Sequence, residues 1–393
     1  MTRALRALTS GAAIGLAGWL LAECVFALAV VSGGYRPNRE GTYYGGPLRA
    51  YDPARGYRWI GDGVRVARIY RGVLAFDRRI RINNEGFVSR IDYRPSRAPG
   101  TIRFAVFGDS FTDASYLPHT WVDTANEIAA REIPQRRVEF YSFATDGAGL
   151  ANWEHALRSY VFPRFEFDGV IVASFGDDLV RGFTVIDDDA SMSHLRQFPS
   201  PPELSEEAVR RLTHECPLAP TFGDEEIDFM KGLGERRVTL APPATRFAMI
   251  SWRNRAARAK DRALCLYVLT AQQRDAVLGR FLDRLASAGK PVVWATVPGR
   301  EALQQYLARG RRTPELDFDA ALATRHGLVH YDGYAALRAH QAARPRKFVN
   351  ALWLPADPHW NEKGGDLFAA GLVSVLRERL LTPGGVLRKP AAN

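Results

Sequence analysis

Cysteine is nearly missing from this chain, with three residues in 393. Cys24 falls in an apolar N-terminal stretch, which leaves Cys216 and Cys265 as the one pair available. That is too few for a disulfide framework, and the pair reads equally as a bridge or as two buried thiols. No Cys-x-x-Cys occurs and no His/carboxylate cluster stands out, so neither a zinc site nor another metal is implied. There is no G-x-S-x-G elbow, which disfavours an α/β-hydrolase. Neither a P-loop nor a dinucleotide glycine fingerprint appears. Zinc-finger, RNP-like and helix-turn-helix signatures are lacking as well. Lysine is scarce, so the net charge of +10 is carried by arginine spread along the whole chain. A diffuse basic surface of that kind does not argue for nucleic acid, and suits anionic headgroups or acidic glycans.

The composition that remains is ordinary for a folded protein, 46% apolar and 24% charged, which excludes disorder on the large scale. Arg3 and Arg6 precede an almost wholly apolar run over residues 10–32, broken by Glu23. At about 1.5 Å per residue that run can cross a bilayer as a helix. Basic residues ahead of it favour a cytoplasmic N-terminus and an exported body. Residues 1–34 therefore read as a membrane anchor, with a cleaved signal peptide ending near Ala27-Leu28-Ala29 as the competing reading.

Residues 35–100 are rich in Gly, Pro, Arg and Tyr. Short strand-like runs (64–70, 73–76, 79–82, 87–91) alternate there with turns such as Asn83-Asn84-Glu85-Gly86, which predicts a small β-rich stalk or cap. From residue 101 strands and helices alternate, the pattern of a parallel sheet covered by helices on both faces. Strands are expected at 104–107, 138–143, 169–175, 291–297 and 328–331. Helices are expected at 121–131, 150–160, 271–288, 318–325, 334–343 and 362–380. Residues 183–262 break the alternation with Asp187-Asp188-Asp189, proline clusters and a basic stretch from Arg253 to Arg262. They read as an insertion over the carboxyl edge of the sheet or as a surface excursion.

Two stretches carry chemistry. Phe104-Ala105-Val106-Phe107 is a buried strand that stops at Gly108 and presents Asp109 and Ser110. Open α/β sheets bind ligands at that end of a strand, although Ser or Asp there also serves simply to cap the next helix. Far downstream lies Asp357-Pro358-His359-Trp360-Asn361. The residue before a proline is extended, and in extended chain side chains two apart project to one side. Asp357 and His359 can therefore converge from a single loop. The alternative there is a helix start with Asp357 as N-cap.

Phe107-Gly108-Asp109-Ser110-Phe111-Thr112 resembles the nucleophile block of the SGNH (GDSL-type) hydrolases, and the Asp357 to Asn361 stretch resembles their C-terminal Asp/His block. The resemblance runs over residues 101–380 apart from the insertion. It implies a three-layer, flavodoxin-like α/β sandwich with a central parallel sheet, preceded by a transmembrane helix and a β-rich extension. Residues 82–87 resemble an element found upstream of the serine in membrane-anchored members. The implied activity is hydrolysis of an acyl or acetyl ester outside the cytoplasm, on an envelope glycan or lipid. An O-acyltransferase or a non-catalytic envelope-binding protein on the same fold are the alternatives. No cofactor is implied.

Residue by residue, Ser110 matches the nucleophile, His359 the base and Asp357 the group that orients it. The Ser110 and Gly147 N–H groups match oxyanion donors. The chain departs from the pattern twice. One residue rather than two separates Asp357 from His359. In addition, Asp177 stands where the family places an asparagine amide, and an ionised carboxylate accepts but cannot donate. Either burial keeps Asp177 protonated or it turns away and another group substitutes, Asn152 being a weak candidate.

Overall fold

The computed structural model describes residues 3–34, 41–45, 49–61, 63–70, 73–185, 196–198, 224–238, 242–258, 268–342, 349–355, 357–381 and 387. Its centre is a sheet of five parallel strands: β6 (Thr101–Phe107), β7 (Arg137–Ser142), β8 (Gly169–Ser174), β11 (Val292–Thr296) and β12 (Val329–Asp332). Their spatial order is β12-β11-β8-β6-β7, and every pair is parallel. All residues of β6, β8 and β11 are buried, as expected for strands covered on both faces. The pleat sorts β6 between two cores. Phe104 and Val106 face one with Trp121, Phe368 and Leu372; Ala105 and Phe107 face the other with Trp153, Phe281 and Leu322. The chain moves from β6 to β7, then returns to lay β8 on the other side of β6. This order is the flavodoxin-like one, and its reversal opens a crevice at the carboxyl ends of β6 and β8.

Every strand expected from residue 101 onward is present, with ends shifted by a few residues. The helices run Trp121–Glu132, Leu150–Ala156, Ala271–Ser287, Pro314–Arg325, Gly333–Ala342 and Glu362–Val375. Two of them widen into a π-turn, over Leu157–Val161 and Leu376–Leu380. The helix Arg300–Arg309 has too weak an apolar stripe to be seen in the sequence, since Leu303 and Tyr306 are the residues it buries.

Ahead of the sheet, β1 (Gly41–Gly45), β4 (Val64–Tyr70) and β5 (Val73–Ile80) form an antiparallel sheet, and β2 (Arg49–Asp52) pairs with β3 (Gly56–Trp59). The runs 73–76 and 79–82, expected as two strands, are joined in one strand that ends at Ile80. Residues 87–91 make a single bridge, Ile82 with Val88, instead of a strand; the turn at Asn83 satisfies the backbone locally, its side-chain amide oxygen accepting from the Glu85 and Phe87 N–H groups. This β unit shares its apolar core with the large sheet: Trp59, Val66, Phe76 and Ile80 belong to the cluster that holds Phe111, Tyr116 and Trp360.

Within residues 183–262, the described part holds β9 (Phe183–Val185) paired with β10 (Arg196–Phe198) and the helices Asp224–Gly234 and Pro243–Arg258. Both helices went unrecognised because their apolar residues are interrupted by charge. Asp224–Gly234 buries Ile227, Phe229, Met230 and Leu233 with Ala67 of β4, so this part lies on the β unit. Asp187 to Asp189, Cys216 and Cys265 lie outside the described residues. Among the described residues one helix is long and apolar enough to cross a membrane, over Thr9–Ser32 within Arg3–Ser32.

Candidate active site

The site forms where β6 ends. Gly108 is required there by close approach, since a Cβ would stand 2.2 Å from the Thr112 hydroxyl oxygen. Asp109, 1% exposed, then caps the short turn Ser110–Asp113, its carboxylate accepting from the Phe111 N–H at 2.9 Å. The cap is thus the aspartate, which leaves the serine hydroxyl to its neighbours.

Ser110 Oγ lies 2.8 Å from His359 Nε2. His359 Nδ1 lies 2.7 Å from Asp357 Oδ1, which also accepts the His359 backbone N–H at 2.9 Å. With Nδ1–H donated to the carboxylate, Nε2 presents its lone pair to the serine hydroxyl. The loop is tied at both ends: the Leu354 N–H donates to the His359 carbonyl at 3.0 Å and the Asn361 N–H to Leu352 at 2.9 Å. Asn361, rather than Asp357, is the N-cap of the following helix, accepting from the Gly364 N–H. The imidazole packs against Phe111 and Tyr116, with ring centroids 4.8 and 4.4 Å away. Trp360 beneath it is fully buried, a contribution of roughly 3 kcal/mol that holds the loop on the core.

Asp357 has a second partner that the sequence did not disclose. Arg68 of β4 places Nη1 2.7 Å from Asp357 Oδ2. Pairing slips beside this residue: Arg68 stands opposite Phe76, while Ile69 stands opposite Leu74. Such a bulge bends the ribbon and re-aims side chains. Burial works to raise the Asp357 carboxyl; the hydrogen bond and charge of His359, with Arg68, outweigh it and hold the group below its usual range.

Gly147 sits at φ 72, in the left-handed region that glycine adopts freely. The Thr184 hydroxyl donates to its carbonyl at 2.8 Å, and the neighbouring Asp146 pairs with Arg49 of β2 at 2.9 Å. Among the described residues, neither the Ser110 nor the Gly147 N–H donates to a protein acceptor. Asp177 turns outward: its side chain is 66% exposed and pairs with Arg181 at 2.7 Å. Asn152 does not replace it, because its amide donates to the Arg55 and Thr184 carbonyls and accepts from the Thr184 N–H.

Arg181 is the second residue that sequence reasoning missed. Its Nη1 lies 3.2 Å from Asp109 Oδ2, 2.8 Å from Asp178 Oδ1 and 3.2 Å from the Ala148 carbonyl. Asp109 Oδ2 is in turn 3.3 Å from Ser110 Oγ. Burial opposes the guanidinium charge, and Asp178, Asp109 and Asp177 more than offset it. Burial, with Asp109 close by, pushes Asp178 well above the usual carboxylate range despite Arg181. A cation spaced four residues from Asp177 was visible in the sequence, yet nothing marked it as folding back.

No family model matches the chain, and no curated protein matches it. Solved structures similar to it include an alpha/beta hydrolase from the metagenome of Lake Arreo, at 14% identity and TM-score 0.38 over 70% of this chain and 94% of that one. An acetylxylan esterase from Geobacillus stearothermophilus aligns at 12% identity and TM-score 0.39, over 73% and 97%. The lipase/acylhydrolase from Enterococcus faecalis aligns at 12% and 0.37, over 74% and 100%. Likeness at this level carries no inference about chemistry, which rests on the side chains themselves.

Proposed function

We propose that the chain is a serine ester hydrolase of the SGNH type, held to a membrane by its N-terminal helix and working outside the cytoplasm. The observation that carries the reading is the unbroken line from Ser110 Oγ through His359 to Asp357, at 2.8 and 2.7 Å. His359 Nε2 takes the hydroxyl proton as Ser110 attacks an ester carbonyl. The Ser110 and Gly147 N–H groups receive the negative charge that develops on oxygen. Asp177 adds no third donor; Arg181, neutralised by the acids around it, holds Asp109 in place beside the serine. His359 then returns its proton to the leaving alcohol, and water releases the acyl group by the same path. Asp357 stays ionised and fixes the tautomer, and Arg68 is a positioning residue for it. An acyl or acetyl ester on an envelope glycan or lipid fits a site beside the anchor.

The test is a fluorophosphonate probe and a chromogenic acetyl ester applied to the full chain and to Ser110→Ala. Labelling should vanish in the variant and turnover should fall at least about 10⁴-fold. An unlabelled wild type, or a variant labelled as well as the wild type, would overturn the reading.

A further inference from the structure

Glu23 lies nine residues before the end of the apolar span Thr9–Ser32, about 14 Å deep at 1.5 Å per residue. That is close to the midplane of a hydrocarbon core about 30 Å thick. Acids at such a depth are rare and need partners. Glu23 has them, all from the helix Pro243–Arg258. Its carboxylate accepts the Ala244 N–H at 2.6 Å, the Thr245 N–H at 3.0 Å and the Thr245 hydroxyl. Trp19 adds a hydrogen bond to that hydroxyl at 2.8 Å.

The need is mutual, because the first N–H groups of any helix lack partners of their own and lipid supplies none. From this point the two helices run together. Phe26 meets Phe247 at 5.4 Å, and Val30 shares a small core with Ile250. On the outer face of the inserted helix Met249 and Trp252 are 63% and 68% exposed, three residues apart and so on one side. Among the described residues, the other large exposed apolar side chains are those of the N-terminal helix, with Val268 and Phe318 isolated elsewhere. Arg246 leaves the apolar face and stacks over Phe229 at 4.9 Å. Trp252 lies about 10 Å above Thr245 along the helix, the depth of an interfacial aromatic belt.

We infer that Pro243–Arg258 is a second membrane element, a half-span seated in the outer leaflet with its start hydrogen-bonded to Glu23 near mid-bilayer. The same small core holds Ala67, next to the arginine that reaches Asp357, so the pair of helices holds the candidate site at the headgroup level. The inference rests on the reading of residues 9–32 as a retained span.

The test uses the full chain in phosphatidylethanolamine/phosphatidylglycerol liposomes, with Cys24, Cys216 and Cys265 replaced by serine. Nitroxide labels go on Leu16→Cys, Met249→Cys, Trp252→Cys and Phe318→Cys, and each is read by its collision with oxygen against a water-soluble nickel chelate. Labels at Met249 and Trp252 should follow Leu16, with the oxygen-to-nickel ratio several-fold above that of Phe318. If they follow Phe318 while Leu16 reports lipid, the inserted helix is not embedded and the inference falls alone. If Leu16 also reports water, the anchor reading falls with it.

Discussion

Two arginines stand on opposite sides of the candidate site, and they come from different parts of the fold. Arg181 follows the central strand β8 and sits among three carboxylates, its side chain 16% exposed, with Asp109 and Asp178 essentially closed to solvent. Arg68 arrives from the antiparallel β unit, is 28% exposed and pairs with Asp357. The serine side is thus supported by the parallel sheet itself and over-determined. The histidine side takes its charge partner from a unit outside that sheet. A buried guanidinium ringed by acids cannot be removed without stranding charge, whereas a partly exposed partner can be replaced in part by water.

The contrast predicts unequal losses. Arg181→Ala should lower kcat by about 10²-fold, the scale of a slightly misplaced reacting group, because Asp109 beside the serine loses its partner, and should destabilise the fold; Arg181→Lys should keep the fold and recover part of the rate. Steady-state kinetics with melting curves for both variants check this. Arg68→Ala should cost roughly tenfold in kcat, about 1.4 kcal/mol of barrier, with KM nearly unchanged. Because Arg68 helps to hold the Asp357 carboxyl below its usual range, the acid limb of the pH–rate profile should also move to higher pH in this variant, and Arg68→Lys should restore it. Equal losses from the two alanine variants would erase the distinction. An Arg68→Ala profile identical to wild type would leave the β unit without a part in the chemistry.

A last prediction sharpens the comparison from the side of stability. Asp113 accepts from the indole N–H of Trp59, a β3 residue, at 3.0 Å. Burial, with Asp146 adding to it, pushes this carboxyl up to about 7, against about 3.9 for an unperturbed aspartate. Between those values the unfolded chain has released a proton that the folded chain keeps, so this group makes stability fall as pH rises through the interval. Asp113→Asn should remove a slope on the order of 1.4 kcal/mol per pH unit, gaining on wild type toward neutral pH. Urea unfolding across pH 4 to 7 measures it, and a difference independent of pH would sever this link between the two units.

How much of this was legible beforehand follows from the range of the interactions. The parallel strands were readable because burial on both faces writes continuous apolar runs such as Val170 to Ala173. Ser110, His359 and Asp357 were readable because short local patterns carry them. Asp177 was recognised as a departure, with its turning away as one of two readings, but its partner Arg181 was not foreseen, since a carboxylate's orientation depends on which cation the fold brings to it. Arg68 lies within an ordinary alternating strand, and no spacing in it points 289 residues ahead to Asp357. Glu23 read only as a break in the apolar span, and its partner lay 221 residues away at Ala244.

The chain alone therefore determined the elements whose causes are local: the apolar span, the alternation of strands and helices, the serine turn, and the extended Asp-Pro-His loop that sets two side chains on one side. Tertiary structure decided everything that depends on unlike segments meeting. It chose the sheet order that opens the crevice, the arginines that neutralise the acids, and the inserted helix that answers Glu23. Charges and hydrogen-bond donors act over a few ångströms in space with no regard to separation along the chain, so their pairing becomes defined only when the core has closed.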